Sequence, residues 1–318
     1  MKIFVLGGSN FIGWRLVQYL GNTSNEITVY NRGNHERTYP KNVIHVIGDR
    51  ADTAKLLKLA ENNYDVVYDM CAFTGAQIKP TIECFKNKVG RYVFISSAAA
   101  YLDNQILPIK EEAICGEHPQ WGKYGNGKYE CELLLKQAYN KYNFPITIVR
   151  PSYVYGIGNP IDRETLLFDR ISKGKPIFIP YSGYGVIQLG NVDDLCNALY
   201  MIACSDRGKG ETYNISGEEY VTLNGLVHIV EDIVCQKAKI YHVSPEKYGF
   251  AQREIFPFEN NTYFTSIQKF KDDFDWKPII GLFEGLKQAY LCWCKAPIKT
   301  DYTNEEKLAR ILKGNGTI

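Results

Sequence analysis

The sequence lacks any apolar run near the roughly 20 residues that a membrane-spanning helix needs, so no such helix is predicted. It also lacks a charge excess: the net charge is +2, which gives no overall positive field for binding nucleic acid. Neither a repeat nor a low-complexity linker interrupts the 318 residues, a length that suits one large domain or two joined ones. The first apolar strand begins at Lys2, which leaves no room for a signal peptide, and a cytoplasmic location is expected.

The nine cysteines are an odd number with no C-x-x-C spacing, which favours a reducing compartment over a disulfide framework. Two of them, Cys292 and Cys294, lie close together in an apolar segment, but no histidine is nearby. Small buried side chains are therefore favoured at these positions, and no metal site is predicted.

The first half of the chain alternates short apolar runs with helical patterns, and this alternation predicts a parallel sheet covered on both faces. The runs are rich in strand-forming residues, whereas the segments between them have apolar residues at helical spacing. We therefore expect an α/β fold with a doubly wound parallel sheet, the Rossmann fold. The predicted strands are residues 2–6, 27–30, 43–47, 65–70, 92–96 and 146–150, and the predicted helices between them are 11–20, 52–62, 75–87 and 124–142.

After about residue 151 the rhythm loosens, and short strands mix with helices as in a smaller α+β domain that interleaves with the first. The predicted dinucleotide-binding domain covers residues 1–155, and later segments near 186–215 are expected to join it. The predicted substrate-binding domain covers residues 156–300. Residues 301–318 are expected to form a polar, helix-capable C-terminal tail.

The first strand ends in "VLGGSNFIGW", residues 5–14, which has the spacing G-x-x-G-x-x-G except that Asn10 replaces the middle glycine. The loop leads into a predicted helix, and phosphate oxygens bind the backbone N–H groups at such a helix start. Asn10 fits this loop because asparagine tolerates positive φ and its amide can donate to a phosphate. A tight turn without a ligand is the alternative. The predicted dinucleotide contacts in the loop are Gly7, Ser9, Asn10, Phe11, Ile12 and Gly13.

The end of the second strand bears on which dinucleotide binds. An acidic residue there usually holds a free ribose hydroxyl, but this chain has Asn31 and Arg32, followed by His35 and Arg37. A guanidinium in that place suits a 2′-phosphate, so NADP is favoured over NAD. NAD stays open, because a solvated basic turn is the alternative.

The stretch "WGKYGNGKYE" places Tyr124 and Lys128 four residues apart at the start of a predicted helix, hence on one face. Ser96 and Ser97 end a strand that leads to the same sheet edge, and Ser97 would hold a substrate oxygen. Removing a hydroxyl proton while hydride leaves the carbon needs a base, and a free tyrosine ionises only near pH 10. An ammonium about 5 Å away, at an effective dielectric constant of about 20, is worth roughly 3 kcal/mol, or about two pKa units. A chance Tyr-x-x-x-Lys is the alternative, in a chain with 23 tyrosines.

Together these motifs resemble the extended short-chain dehydrogenase/reductase superfamily, in its NAD-dependent epimerase/dehydratase group. "GGSNFIG", "GDR", "FISS", "YGNGK", "VRPSYVYG" and "NVDDL" occur in that family's order. The resemblance implies that Tyr124 is the base, Lys128 its partner and ribose ligand, and Ser97 the residue that binds the hydroxyl. It implies further cofactor contacts, at the adenine pocket, in the strand-end loops and near the nicotinamide, from Asp49, Arg50, Cys71, Ala72, Phe73, Ser96, Pro151 and Tyr153.

Within the family the sequence most resembles the chloroplast stem-loop-binding-protein branch and its bacterial relatives, through "NRG", "VYDM" and "EEKLARIL". An arginine that grips the substrate diphosphate in nucleotide-sugar enzymes is replaced by Gln188 and neutral neighbours. Other arginines could substitute for it, namely Arg163, Arg170 and Arg253.

The 4,6-dehydratases of the family carry an Asp-Glu pair where this chain has Ala98 and Ala99, so dehydration is not expected. Asp69 lies among apolar residues of the fourth strand. It is interpreted first as a hydrogen-bonded structural carboxylate, with a role in the site as the alternative.

The expected activity is that of an NAD(P)-dependent epimerase or oxidoreductase acting on a sugar or nucleotide sugar. The alternative is an RNA-binding or RNA-processing protein on the same fold, which the net charge of +2 speaks against. The expected partner is a small-molecule substrate. The sequence leaves the oligomeric state open, but the resemblance to the family implies a homodimer that would pair through the helices near 75–87 and 124–142.

Overall fold

The computed structural model describes residues 1–102, 106–117, 121–297 and 301–316. The strands in these ranges are β1 (Lys2–Leu6), β2 (Glu26–Asn31), β3 (Val43–Ile47), β4 (Tyr64–Asp69), β5 (Val89–Ile95), β6 (Ile146–Pro151), β7 (Tyr153–Tyr155), β8 (Pro176–Pro180), β9 (Val186–Asn191), β10 (Thr212–Ile215), β11 (Tyr220–Thr222) and β12 (Lys239–Val243). The α-helices are α1 (Phe11–Gly21), α2 (Thr53–Ala60), α3 (Gly75–Phe85), α4 (Gly122–Tyr142), α5 (Glu164–Ser172), α6 (Val192–Ala203), α7 (Leu223–Val234), α8 (Gln268–Phe274), α9 (Leu282–Lys295) and α10 (Thr303–Gly314).

Seven strands form one parallel sheet in the order β10-β6-β5-β4-β1-β2-β3. Paired residues such as Val5 and Val29 are fully buried, because α1, α6 and α8 cover one face and α2, α3 and α4 cover the other. A strand buried on both faces must be apolar throughout, which is why these runs lack strict alternation. The predicted fold class, a doubly wound α/β sheet, is confirmed.

The strand order reverses beside β1, since β2 and β3 lie on one side of it and β4 on the other. All strands of the sheet are parallel, so their carboxyl ends meet at one edge. In open α/β sheets, ligands bind at this edge where the order reverses. The loops after β1, β2, β4 and β5 therefore form the part of the molecule in which a site is expected.

Contacts divide the chain into two compact units. Unit 1 consists of Met1–Val154, Val192–Ser216 and Thr265–Ile279, and unit 2 consists of Tyr155–Asn191, Gly217–Phe264 and Ile280–Ile318. Residues 265–279, which were predicted to lie in the substrate-binding domain, belong to unit 1. In α8, Phe270 and Phe274 pack edge-on against Tyr213 of β10, with ring centroids 5.3 and 5.5 Å away. The predicted domains, residues 1–155 and 156–300, stay a prediction.

In unit 2, β8 pairs in parallel with β12, and β9 pairs antiparallel with β11. The end of the chain is more than a polar tail. Leu308 and Leu312 of α10 are fully buried, and they belong to the same apolar cluster as Phe178 of β8. The spacing of four residues puts both leucines on one side of the helix, and the charged residues around them masked this pattern in the sequence.

Cys292 and Cys294 are exposed, so the expected burial of these two side chains was wrong. The buried side of α9 ends before them; it consists of Leu282, Gly285, Leu286 and Ala289.

In the part of the chain that the structure describes, no helix combines the length and apolar character needed to cross a membrane. Within the same residues, no group of three or more His, Cys, Asp or Glu side chains is arranged to hold a metal ion.

Candidate active site

The loop after β1 makes a tight turn into α1. Gly7 and Gly8 have φ of +102° and +74°, a region that residues with a side chain rarely adopt. A Cβ on Gly13 would lie 2.9 Å from the amide nitrogen of Gly8, so only glycine lets α1 approach the turn this closely. These glycines produce the close backbone and open helix start that bind a pyrophosphate in dinucleotide-binding folds.

Asn10 does not adopt the positive φ that was predicted for it. Its φ is −130°, whereas Phe11 has the positive φ, +28°. The ring of Phe11 is buried in the core. Burial of such a side chain contributes roughly 1.5–3 kcal/mol, which offsets a backbone strain of about 1–2 kcal/mol. Asn10 remains exposed at the start of α1, beside Ser9 and Ile12, and these cofactor contacts stay predictions.

Asn31, at the end of β2, braces the glycine loop. Its amide nitrogen donates to the Gly7 carbonyl at 2.8 Å, and its amide oxygen accepts from the Gly33 N–H at 2.9 Å. The Nε2 of His45 lies 3.1 Å from the same oxygen. The Asn31 side chain is thus held inside the protein, while the neighbouring Arg32 is exposed.

Arg37 reaches the glycine loop from the segment after β2. Its Nε–H donates to the Ser9 carbonyl at 2.9 Å, and its guanidinium lies 5.1 Å from the centre of the Trp14 ring. The sequence analysis named Asn31 and Arg32 as contacts here and mentioned Arg37 only as a neighbour. The structure places a cation against the loop at Arg37, and the basic run "NRGNHER" was the signal for it.

Arg50, expected at the adenine pocket, has its terminal nitrogens occupied within the protein. They bond to both carboxylate oxygens of Asp69 at 2.9 Å and to the Thr81 hydroxyl at 3.0 Å. Burial raises the pKa of Asp69, but the charge and hydrogen bonds of Arg50 outweigh this and hold the pKa below its usual range. Asp49 is exposed and accepts from the Ala51 N–H at 2.8 Å. The adenine-pocket role of Asp49 and Arg50 stays a prediction.

Residues 70–74, here called the β4 loop, contain three of the predicted cofactor contacts. The N–H groups of Cys71 and Ala72 donate to Asp69 at 3.1 and 3.0 Å, and the Phe73 N–H donates to the Gln77 side chain at 2.7 Å. Burial raises the pKa of Cys71 to about 11, so this thiol stays protonated at neutral pH. The β4 loop is therefore held by side chains at three successive amides.

Lys128, in the second turn of α4, is 2% exposed and carries its ammonium to the strand ends. Its Nζ donates to the Ile95 carbonyl at 2.6 Å, at the end of β5, and to the Ala72 carbonyl at 2.9 Å, in the β4 loop. Two of the three N–H donors are used in this way. Burial lowers the pKa of Lys128 to about 8, a shift that the sequence analysis did not foresee.

Tyr124 lies one turn before Lys128 on α4 and is 46% exposed. Its ring lies 6.3 Å from the Phe73 ring, and the Lys128 ammonium lies 4.7 Å from the centre of that same ring. Ser97 follows β5, and its hydroxyl oxygen accepts from the Ala99 N–H at 3.1 Å, which leaves its own O–H to donate. The structure thus brings Tyr124, Lys128 and the β4 loop together, and Ser97 lies at the end of the adjacent strand.

Ser96 is a further predicted cofactor contact, and this role stays a prediction. It is 2% exposed, and its hydroxyl donates to Glu132 of α4 at 2.5 Å. Glu132 in turn accepts from the Nε and a terminal nitrogen of Arg150 on β6. Successive residues of a strand point to opposite faces, so Ser96 enters this buried network.

The glycines of "YGNGK" are site residues that sequence reasoning missed. A Cβ on Gly127 would lie 1.9 Å from the Phe73 carbonyl oxygen, and one on Gly125 would lie 2.5 Å from the Ala99 carbonyl oxygen. Glycine therefore allows α4 to pack against the β4 loop and the turn after Ser97.

Two further predicted cofactor contacts, Pro151 and Tyr153, lie at and after the end of β6. Pro151 is buried, and the Tyr153 ring lies 6.2 Å from the ring of Trp121 at the start of α4.

Residues 3–216 match the family described as the NAD dependent epimerase/dehydratase family. The chain belongs to this family. It is 32% identical over 309 residues to the chloroplast stem-loop binding protein of 41 kDa b of Arabidopsis thaliana, with 91% of this chain and 78% of that protein covered. An uncharacterized UDP-glucose epimerase of Bacillus subtilis is 24% identical over 330 residues, with 92% and 98% covered. The predicted family and the resemblance to the stem-loop-binding branch are confirmed.

Solved structures of sugar-nucleotide epimerases share the fold. A UDP-glucose 4-epimerase of Thermotoga maritima, in complex with UDP-glucose, has a TM-score of 0.78 at 21% identity, with 93% of this chain and 99% of that chain covered. A UDP-glucuronic acid 4-epimerase of Bacillus cereus, in complex with UDP-glucuronic acid and NAD, has a TM-score of 0.77 at 20% identity, with the same shares covered. At these identities the similarity supports the fold, and it does not identify a substrate for this chain.

Three residues of unit 2 bear on whether a diphosphate could bind there. Gln188 donates its amide to the Gly217 carbonyl at 2.7 Å, where nucleotide-sugar enzymes were expected to have an arginine. Arg170 is 1% exposed and donates to the Pro176 carbonyl. Arg253 lines a cavity of about 430 Å³ together with four carboxylates, those of Asp162, Glu254, Asp301 and Glu305. Carboxylates oppose an anion, so neither Arg170 nor Arg253 stands in surroundings that favour a diphosphate.

Proposed function

We propose that this protein is a dinucleotide-dependent epimerase or reductase that acts on a hydroxyl-bearing carbon of a sugar or nucleotide sugar. The observation that carries the proposal is the ammonium of Lys128, one helical turn from Tyr124. It is held by the carbonyls of Ala72, in the β4 loop, and Ile95, at the end of β5. Family membership supports a dinucleotide-dependent reaction. The residue roles are those that the resemblance to this family implies, and the contacts of Lys128 and Tyr124 in unit 1 support them.

The glycine loop suits a dinucleotide. Side chains at Gly7, Gly8 and Gly13 would fill the space beside the turn, and glycine keeps the backbone accessible there. The loop would hold the pyrophosphate, and Lys128 would hold the ribose with its third N–H. When bound, the nicotinamide supplies a hydride acceptor and donor next to the substrate carbon.

Tyr124 would take the proton of the substrate hydroxyl as hydride leaves the same carbon, so a C–OH becomes a C=O. The reverse step returns the hydride to the carbon and the proton to the oxygen. Epimerisation needs the hydride to return to the other face, with no net oxidation, whereas reduction consumes one reduced cofactor. Ser97 would donate its O–H to the substrate oxygen and hold it in line with Tyr124. No Asp-Glu pair follows Ser97, so dehydration is not part of the proposal.

The test is cofactor binding followed by turnover. We expect the purified protein to bind NAD(H) or NADP(H) in a fluorescence titration, and to interconvert or reduce a member of a panel of UDP-sugars and free sugars. Proton NMR of the sugar detects epimerisation, and absorbance at 340 nm detects net reduction. The free sugars are included because neither Arg170 nor Arg253 stands in surroundings that favour a diphosphate. Absence of dinucleotide binding would remove the proposal at its first step.

Arg37 is the residue that we expect to favour NADP. Replacing it in Arg37→Gln should weaken NADPH binding by roughly 10- to 100-fold, since a hydrogen bond to a charged group is worth about 1.5–3 kcal/mol. NADH binding should stay nearly unchanged, because NADH lacks the 2′-phosphate. Fluorescence titration with both cofactors measures the two affinities. Lys41→Gln, which removes a cation from an exposed position in the same segment, is the control. Equal NADPH affinity in Arg37→Gln and the unaltered protein would remove Arg37 from this role.

RNA binding is a second candidate function, and the 32% identity to the chloroplast stem-loop binding protein is the observation that favours it. The net charge of +2 opposes it, because phosphate contacts carry most nucleic-acid affinity. Filter binding of a structured RNA across a salt series separates the two functions. Lack of binding at low salt removes this candidate, whereas salt-sensitive binding that survives Tyr124→Phe would support it.

A homodimer through α3 and α4 also stays a prediction. The two helices pack on each other within unit 1. Their exposed residues are mostly polar, including Lys79, Glu83, Glu130 and Gln137, with Leu133 as a large apolar exception. A cytoplasmic location likewise stays a prediction from the odd number of cysteines.

A further inference from the structure

Asp69 accepts more hydrogen bonds than a buried ion pair requires. This last residue of β4 is fully buried and pairs with both terminal nitrogens of Arg50. It also accepts from the Tyr92 hydroxyl at 2.6 Å and from the N–H groups of Cys71 and Ala72. A carboxylate offers about four acceptor positions, so this one is saturated. Two of its donors belong to the β4 loop.

The same loop holds Lys128. The N–H of Ala72 donates to Asp69 at 3.0 Å, and the carbonyl of the same residue accepts from the Lys128 ammonium at 2.9 Å. The ammonium's other partner, Ile95, ends β5, and β5 is paired with β4 at Asp69 and Phe94. Asp69 therefore fixes one of the two carbonyls that receive the ammonium, and the sheet fixes the other.

Asp69 and Arg50 also influence the pKa of Lys128 through their charges. Burial lowers the pKa of Lys128 to about 8, and the charge of Asp69, at the end of β4, opposes that shift. The thiols of Cys131 on α4 and Cys71 in the β4 loop act in the same direction as Asp69, whereas Arg50 acts with burial. Both thiols have raised pKa values and stay protonated near neutral pH, so Asp69 and Arg50 are the charged groups among these four influences on the pKa of Lys128.

We propose that Asp69 is a positioning residue, which sets the place of the Lys128 ammonium through the β4 loop and, with Arg50, sets the charge around it. Its consequence for turnover rests on the proposed function, in which Lys128 must be charged and in place beside Tyr124. A purely structural carboxylate would also be buried and paired. It would, however, change only the stability of the fold when replaced, and would leave the titration of Lys128 where it was.

The test follows the titration of Lys128 itself, without substrate or cofactor. Carbon-13 label at the lysine Cε gives one NMR signal per lysine, and Lys128→Met identifies the signal of interest. We expect a midpoint near pH 8 in the unaltered protein. In Asp69→Asn the midpoint should fall by about one pH unit or more, because the favourable charge is lost while Arg50 remains. In Arg50→Gln it should rise, because Asp69 then acts alone.

Asp65→Asn is the matched control, since Asp65 lies on the same strand but is exposed and accepts from the Lys2 N–H. It should leave the Lys128 midpoint unchanged. Hydrogen exchange at the amides of Cys71 and Ala72 should become faster in Asp69→Asn and stay slow in the control.

Unchanged midpoints in folded Asp69→Asn and Arg50→Gln would overturn the proposal. If Asp69→Asn does not fold, Arg50→Gln decides by itself, a rise supporting the positioning role and an unchanged midpoint refuting it. Because these measurements need no reaction, they are separate from the proposed function. Shifted midpoints without any turnover would leave the role of Asp69 standing and count only against the proposed activity.

Discussion

Replacing Tyr124 with phenylalanine is expected to lower the turnover of hydride transfer by about 10²–10⁴-fold, the usual contribution of a positioned acid–base group. The ring and its contact with Phe73 would remain, and only the hydroxyl that carries the proton would be lost. Lys128 keeps its two carbonyl partners in this variant, so dinucleotide affinity should change little. The effect should therefore fall on kcat rather than on cofactor binding, as measured by steady-state kinetics and fluorescence titration.

Tyr129→Phe is the matched control, because Tyr129 lies on the same helix outside the proposed set and loses the same hydroxyl. It should retain nearly full turnover. Unchanged turnover in Tyr124→Phe, with a bound dinucleotide, would instead favour a protein that binds the cofactor without using Tyr124 as its base.

Glu132→Gln is expected to destabilise the fold by about 3–5 kcal/mol, the cost of leaving one partner of a buried ion pair without the other. The side chains of Glu132 and Arg150 are each 1% exposed, and the Ser96 hydroxyl depends on the same carboxylate. With the charge of Glu132 removed, the Arg150 guanidinium is buried without compensation. Urea denaturation followed by circular dichroism gives the free energy of unfolding.

Lys136→Met provides the control for this second prediction. Lys136 approaches Glu132 at 3.9 Å, but its side chain is 44% exposed, so its loss should cost less than about 1 kcal/mol. The double variant Glu132→Gln with Arg150→Met should recover part of the stability, because it removes the stranded charge. A loss below about 1 kcal/mol in Glu132→Gln would show that Arg150 is satisfied by its other partners, such as the Glu111 carbonyl.

Several elements of the fold were predictable because they depend on local pattern. The strands at 2–6 and 43–47 have the predicted bounds, since apolar runs between turn residues leave few alternatives. The short strands β7 and β11 and the helix α8 were not predicted. They have three to seven residues, too few for a period to stand out.

The two adjacent serines show what a local pattern leaves undecided. Both follow β5 directly, and both were predicted to lie in the site. In the structure Ser96 is buried on Glu132, while Ser97 caps the turn that follows the strand. Alternation along a strand tells that two neighbours point opposite ways, but only the sheet's register tells which of them points inward.

Asp69 shows the same limit for charges. An acidic residue in an apolar strand signals a buried partner, and the sequence analysis interpreted it so, as a hydrogen-bonded structural carboxylate. Which cation would meet it depended on the path of the chain after β3, which brings Arg50 back to the end of β4. That path removed the Arg50 guanidinium from the solvent and linked Asp69 to Lys128 through the β4 loop.

The sequence by itself determined the doubly wound sheet, the glycine turn before α1 and the order of Ser97, Tyr124 and Lys128, because these depend on residue type and short spacing. Only the tertiary structure decided which partners the polar side chains at the strand ends find within the protein, such as Glu132 for Ser96, the Gly7 carbonyl for Asn31 and Asp69 for Arg50. It also decided that Lys128 is buried and held by the carbonyls of Ile95, at the end of β5, and Ala72, in the β4 loop. Burial and partner choice depend on residues far apart in the chain, and packing alone brings those residues together.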